Sequence, residues 1–313
     1  MSAAVALAVI GVTILIAGPR LAGAAWTAQA PRLAILAWQA LTFSAVTAFV
    51  LAGVTLLIPV TTLAGDLGAV FHACAVSVAS AYGSAEFLPG ALAGTLLAGA
   101  VPAWVLLCAA WELGSGWRRR RELHRSIDMV AELDHELGVL VMDAQAPAAF
   151  CVPGRKTRIV VTTGTLAALS EDELRGVLAH EAAHLRARHN LAVTLSQGLM
   201  RAFPRVRLFQ VASAQTRQLI ELLADDAAAA DVDRVSVASA IVSLVEMRAP
   251  AAAMAMAQEG AVLRVSRLLQ PAAQMTPWRH RLLAGGLWVV LLAPVLIAGL
   301  PTLSAALNDL CNI

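Results

Sequence analysis

The chain has 313 residues, 59% of them hydrophobic and only 14% charged. That is too apolar for an ordinary soluble domain, where about a quarter of residues carry charge, and it points to the membrane class. The net charge of +2 is unremarkable; its distribution along the chain is informative.

Four stretches meet or approach the roughly 20 apolar residues needed to cross the hydrocarbon core: about 3–18, 33–60, 88–113 and 282–303. The first is short enough to suggest a signal peptide, but no basic residue precedes it, and Arg20 and Arg32 follow it. A first span with its N-terminus outside fits better. The second connection, Thr61–Phe87, has no Lys or Arg, whereas Trp117-Arg118-Arg119-Arg120-Arg121 follows the third span directly. Arg279, His280 and Arg281 precede the fourth. The alternation places the N- and C-termini outside and residues 114–281 in the cytoplasm of a bacterial cell membrane. Against a span, the arginine run reads as a topology and lipid-headgroup signal, so no direct nucleic-acid binding is expected.

Four cysteines, Cys74, Cys108, Cys151 and Cys311, include no C-x-x-C pair, which argues against a cysteine zinc site or a disulfide framework. A bridge between Cys74 and Cys311 on the outer side is left open; four small hydrophobes is the plainer reading.

The segment between the third and fourth spans has the size of one domain. Residues 118–137 are expected as a polar helix, and Val139–Met142 and Arg158–Thr162 as short strands. Ser170 followed by Glu171, Asp172 and Glu173 marks a helix start, with a hydroxyl cap and acids in the first turn. That helix, through Arg188, carries His180-Glu181-Ala182-Ala183-His184. Histidines four apart share a helix face and can hold one ion, with Glu181 beside them as general base. Zn2+ is the expected cofactor: it takes imidazole nitrogen readily and lowers the pKa of water to about 7. The motif alone is common, and a histidine pair on a solvated helix is the bland alternative. A third ligand is needed, and Glu221, with Asp225 four residues on, offers a carboxylate ligand and a carboxylate that orients a ligand histidine. His189 is five residues past His184, about 140° round the helix, and is expected at the surface.

His180-Glu181-x-x-His184 with Glu221-x-x-Ala224-Asp225 resembles the gluzincin arrangement. The plan of four spans with the zinc domain before the fourth resembles the BlaR/MecR-type antirepressor membrane metallopeptidases. The resemblance extends to Ala149-Phe150, Pro153-Gly154 and Ile159-Val160-Val161-Thr162-Thr163-Gly164. It implies a mainly α fold with a cytoplasmic α+β peptidase domain, in which Ile159, Val160, Val161, Thr162, Thr163 and Gly164 form the edge strand that binds substrate by backbone pairing. It implies a membrane-apposed turn at Arg201-Ala202-Phe203-Pro204 and a protein substrate, a cytoplasmic DNA-binding repressor or the chain itself. The extracellular penicillin-binding domain of the sensor members has no counterpart here, and the sole lysine, Lys156, is not in Ser-x-x-Lys, so direct β-lactam acylation is not expected. Membrane lipids are expected partners and a homodimer is left open. The competing readings are a housekeeping membrane protease for quality control or protein processing, and a non-enzymatic membrane transducer. Many housekeeping proteases insert spans between the zinc helix and the third ligand, and residues 185–220 here contain arginines and no 18-residue apolar run. The tetrahedral intermediate needs an electrophile, and the only tyrosine, Tyr82, is expected outside, which leaves that role unassigned.

Overall fold

The computed structural model describes residues 2–57, 88–154, 157–248, 254–270 and 275–311. The second connection, with Cys74 and Tyr82, lies outside these residues, as does the side chain of Cys311. Among them, four helices are long and apolar enough to cross a membrane: Ala3–Gly23, Pro31–Leu57, Pro89–Val130 and Pro277–Gly299.

The first membrane helix, α1 (Ser2–Ala17), turns through Gly18–Gly23 into α2 (Pro31–Leu57). Helix α2 is the centre of the membrane part and packs against α1, α3 (Leu88–Thr95) and α11 (Pro277–Cys311). Lipid supplies no hydrophobic force between helices, so close approach must come from small residues and hydrogen bonds. Ala34, Ala37, Ala45, Ala48 and Ala52 are buried on α2, and Ser44 Oγ donates to the Val290 carbonyl at 2.7 Å. At Gly53 a Cβ would meet Leu97 Cβ at 2.6 Å and Ala98 N at 2.7 Å, so only glycine fits there. After α3, one π turn (Leu96–Ala100) leads into α4 (Val101–Val130); Pro102 has no N–H to complete the α-helical ladder at that point.

Helix α4 leaves the apolar zone and runs into the sheet domain, shorter than the sequence suggests. The polar helix ends at Val130, and Ala131–Asp134 is strand β1 rather than helix. The reason is local: Asp134 Oδ1 accepts from the amides of Glu136 and Leu137, and Gly138 takes φ +67°. This turn pairs β1 antiparallel with β2 (Val139–Met142). Strands β3 (Ala149–Val152) and β4 (Arg158–Thr162) complete a mixed sheet ordered β1-β2-β4-β3. Val160 packs with Ile127 and Val152 on one face, and Val161 with Val177 of the following helices on the other.

After the short α5 (Thr163–Ala168) come α6 (Glu171–Arg186), α7 (His189–Ala202), α8 (Arg207–Asp231), α9 (Arg234–Arg248) and α10 (Met254–Leu269). No helix in residues 185–220 qualifies as a span. Instead α7 and the first half of α8 form a hairpin against the spans. Trp104 Nε1 donates to the Ala202 carbonyl at 3.0 Å, Arg201 Nε to the buried Glu112 at 2.9 Å, and Phe203 stacks on Phe209. The turn at residues 201–204 therefore lies against α4. Leu208, Ala212, Leu219 and Leu222 of α8 bury against Ala34, Trp38 and Ala45 of α2.

Trp38 is fully buried at that α2–α8 junction, and its Nε1 has no acceptor among the described residues. Trp38→Ala should therefore cost about 3–5 kcal/mol, and Trp38→Phe far less, because the ring's bulk matters and its N–H does not. Thermal unfolding of the purified variants in detergent checks this ordering.

Candidate metal centre

Helix α6 starts where the sequence indicates. Ser170 accepts from the Glu173 amide and the Glu173 carboxylate accepts from the Ser170 amide, a complete capping box. Ser239 of α9 also donates to Glu173, which ties α9 to the start of α6. Two turns on, His180 Nε2 and His184 Nε2 lie 3.1 Å apart. Helix α8 crosses α6 and brings the Glu221 carboxylate oxygens 3.5 Å from His180 Nε2 and 3.6 Å from His184 Nε2. The ligand atoms of His180, His184 and Glu221 all lie within 4.8 Å of one another. Ligands of a tetrahedral zinc with bonds of 2.0–2.1 Å are about 3.3 Å apart, so this donor set fits zinc with small adjustments and leaves a fourth position open.

Both imidazoles turn Nε2 inward, and each uses Nδ1 for an outer partner. His180 Nδ1 is 3.0 Å from Asp225 Oδ1, and Asp225 is only 1% exposed. His184 Nδ1 is 3.1 Å from His189 Nδ1. Such partners fix ring orientation and tautomer. His189 is thus half-buried beside the site and not a surface residue. The helix breaks first: Arg188 adopts the left-handed conformation (φ 49°), which starts α7 and swings His189 back over His184.

Arg264 of α10 completes the cluster. Its guanidinium grips Asp225 through Nε at 2.7 Å and Nη2 at 2.6 Å, and its Nη1 is 3.2 Å from Glu221. Burial works against charge on Asp225 and Glu221. Even so, Arg264 and His180 hold Asp225 below the ordinary carboxylate range, and His180 together with Arg264 does the same for Glu221. Burial also disfavours the His180 cation, but the Asp225 and Glu221 carboxylates outweigh it and raise His180 to about 9. Burial and the charge on His180 push His184 down to about 4. Asp226 faces the other way, in a bidentate pair with Arg267 at 2.6 and 2.8 Å, while Arg267 Nε donates to the Ala28 carbonyl between α1 and α2.

Glu181, beside the histidines, has its carboxyl pKa raised by burial, the direction that suits a general base. Against it lies Cys151 of β3, whose thiol burial and the Glu181 charge push up to about 12. A thiol that stays protonated can donate to Glu181. Two cavities flank the cluster. One of about 140 Å³ lies between the apolar side chains of Val177, Val237, Ile241 and Leu244 and the polar cluster of His180, Glu181, Glu221, Asp225 and Arg264. The other, about 670 Å³, opens past Cys151, His184 and Glu221 towards α4 and Arg119.

The expected edge strand at residues 159–164 is corrected. Ile159, Val160, Val161 and Thr162 belong to β4, which pairs with β2 on one side and β3 on the other, so its backbone is not free. Thr162, Thr163 and Gly164 anchor the loop before β3. Thr162 Oγ1 accepts from the Ala148 amide and Thr163 Oγ1 from the Ala144 amide, while a Cβ on Gly164 would sit 2.1 Å from the Gln145 carbonyl. The edges of the sheet are β1 and β3, and on β3 Ala149 and Cys151 line the two cavities.

Two outcomes follow for metal binding. His189→Ala frees His184 to rotate and should weaken zinc binding about 10–100-fold, read by competition with a chelator. Metal needs neutral imidazole, and His180 carries its proton up to about pH 9 whereas His184 is neutral above about pH 4. Zinc binding should therefore release one proton, and the apparent affinity should rise about tenfold per pH unit between pH 7 and 9 and then level off. Calorimetry in buffers of different ionisation enthalpy counts that proton.

The model of peptidase family M48 matches residues 117–276, just over half of the chain. Proteins named "Protease HtpX homolog" are similar over shorter stretches. The one from Acidiphilium cryptum is 47% identical over 64 residues, covering 20% of this chain and 22% of the relative. The one from Ralstonia nicotianae is 41% identical over 91 residues, 26% and 32% of the two chains. The one from Persephonella marina is 40% identical over 77 residues, 22% and 26%. The matched stretches thus span between about a fifth and a third of those relatives' length. No solved structure matches. With the family model covering the helix of His180, Glu181 and His184, the helix of Glu221 and Asp225, and Arg264, the chain belongs to peptidase family M48.

Proposed function

We propose that the chain is a membrane zinc endopeptidase of the HtpX type, acting in housekeeping quality control on protein segments that reach the face of the membrane where the sheet domain sits. The observation that carries this is the convergence of His180 Nε2, His184 Nε2 and the Glu221 carboxylate, with Glu181 alongside and the β3 edge next to it. A zinc ion held by these three residues would supply Lewis acidity and acidify a water at the open position.

The remaining steps belong to the protein's own groups. An extended substrate segment lies alongside β3, and contacts to its backbone tolerate many sequences, which suits a protease that removes damaged proteins. One side chain next to the scissile bond enters the 140 Å³ cavity, against its apolar wall of Val177, Val237, Ile241 and Leu244. Glu181 takes the proton of the attacking water and passes it to the leaving amine. Asp225 and His189 keep the two histidines in the Nε2-inward tautomer throughout. Arg20, Arg32, Arg118–Arg121, Arg279 and Arg281 flank the spans, and their distribution supports a cytoplasmic peptidase domain in a bacterial cell membrane.

The second reading is signal-driven cleavage of a cytoplasmic repressor. It is favoured by one observation: residues 185–220 fold as a hairpin on the spans rather than as spans of their own.

The test uses zinc-loaded full chain in nanodiscs. Wild type should cleave an unfolded protein at varied sequences with apolar residues beside the cut. Glu181→Gln should keep its zinc and lose at least about a hundredfold in rate. Cleavage confined to one repressor-like protein supports the second reading. Zinc-loaded wild type that cleaves nothing, itself included, overturns both.

A further inference from the structure

A third cavity, of about 500 Å³, lies on the far side of His189 from the metal cluster, at the start of α2. Arg32 of α2 and Arg186 and Arg188 at the end of α6 ring it, and no carboxylate lines it among the described residues. Arg32 and Arg188 have no ion-pair partner among these residues, and Arg186 reaches only Asp231, at 4.0 Å between two exposed side chains. Three arginines around one cavity, two of them without an acidic partner among the described residues and the third only loosely paired, form a site for an anion.

The floor is of a different character. Ile35, Leu36 and Leu223 line it, and Leu36, 59% exposed, continues onto the outer face of α2. Pro31–Leu57 is one of the four helices long and apolar enough to cross a membrane, and Leu36 lies exposed within the first two turns of that span, where acyl chains would meet it. The α1–α2 connection itself contacts the sheet domain through Arg267 and Ala28, which places Arg32 at the membrane surface nearest that domain. Cationic rim, apolar floor and interface level together match an amphiphile with a negative head and a hydrocarbon tail.

The geometry points to a binding site for one anionic phospholipid here, its phosphate among Arg32, Arg186 and Arg188 and its chain along Leu36. The site is independent of zinc and of catalysis. His189, which holds His184, forms its inner wall, so an occupied site rests directly against the support of a candidate metal ligand.

Native mass spectrometry of the full chain, released from detergent with added phosphatidylglycerol, phosphatidylcholine or glycerol phosphate, tests this. Wild type should retain one phosphatidylglycerol in preference to phosphatidylcholine. At about fivefold per arginine near an anionic surface, Arg32→Gln with Arg188→Gln should weaken retention about 25-fold. The matching lysine pair should keep most of it, and Arg279→Gln with Arg281→Gln, at the other interface span, should change nothing. The substituted side chains are exposed, and unfolding temperatures confirm that each variant folds. Equal retention of the two lipids, an unaltered glutamine pair, or equal binding of glycerol phosphate overturns the proposal. Displacement by an acidic peptide below the lipid's concentration assigns the cavity to a protein segment and also overturns it.

Discussion

The site depends on one buried carboxylate. Asp225 is 1% exposed in the last third of α8, and a carboxylate removed from water costs several kcal/mol unless it is paired and fully hydrogen-bonded. Arg264 supplies two bonds and His180 a third. Satisfying that single group orients His180, pins α10 across α8, and brings Arg264 against Glu221. Three of the elements around the cavity are positioned by one charge that has nowhere else to go.

Helix α8 carries that charge between two environments. Its first half packs on α2 and the α1–α2 connection, and its second half carries Glu221, Asp225 and Asp226. A shift of α2 would therefore be felt at the ligand helix through Trp38 and Leu222, and again through Arg267, which joins Asp226 to the α1–α2 connection. The membrane part and the peptidase part share one helix, a physical route by which the state of the membrane can reach the candidate metal centre.

Much of this was legible in the sequence, where the signals are local. Span lengths, the capping box at Ser170, the strands at Val139–Met142 and Arg158–Thr162, and the grouping of His180, His184 and Glu221 all follow from apolar runs, cap chemistry and helical spacing. What stayed hidden depends on tertiary placement. A single left-handed residue, Arg188, redirects His189, and helix-angle arithmetic cannot anticipate a break in the helix. Arg264 is remote in sequence and carries no motif. Strand order is set by pairing, so the edge moved from Ile159–Gly164 to Ala149–Val152, although the unbroken apolar run Ile159-Val160-Val161, buried on both faces, was a clue that β4 lies inside the sheet. The resemblance to antirepressor proteases pointed to His180, His184 and Glu221, which the structure brings together, while the family that matches is M48.

X-ray absorption at the zinc edge of the metal-loaded full chain tests the central claim most directly. Two imidazoles and one carboxylate predict a shell of nitrogen and oxygen only, near 2.0–2.1 Å, with two histidine signatures. A sulfur scatterer near 2.3 Å would make Cys151 a ligand, and a third imidazole would make His189 one. Either result contradicts the arrangement of His180, His184 and Glu221 around an open position.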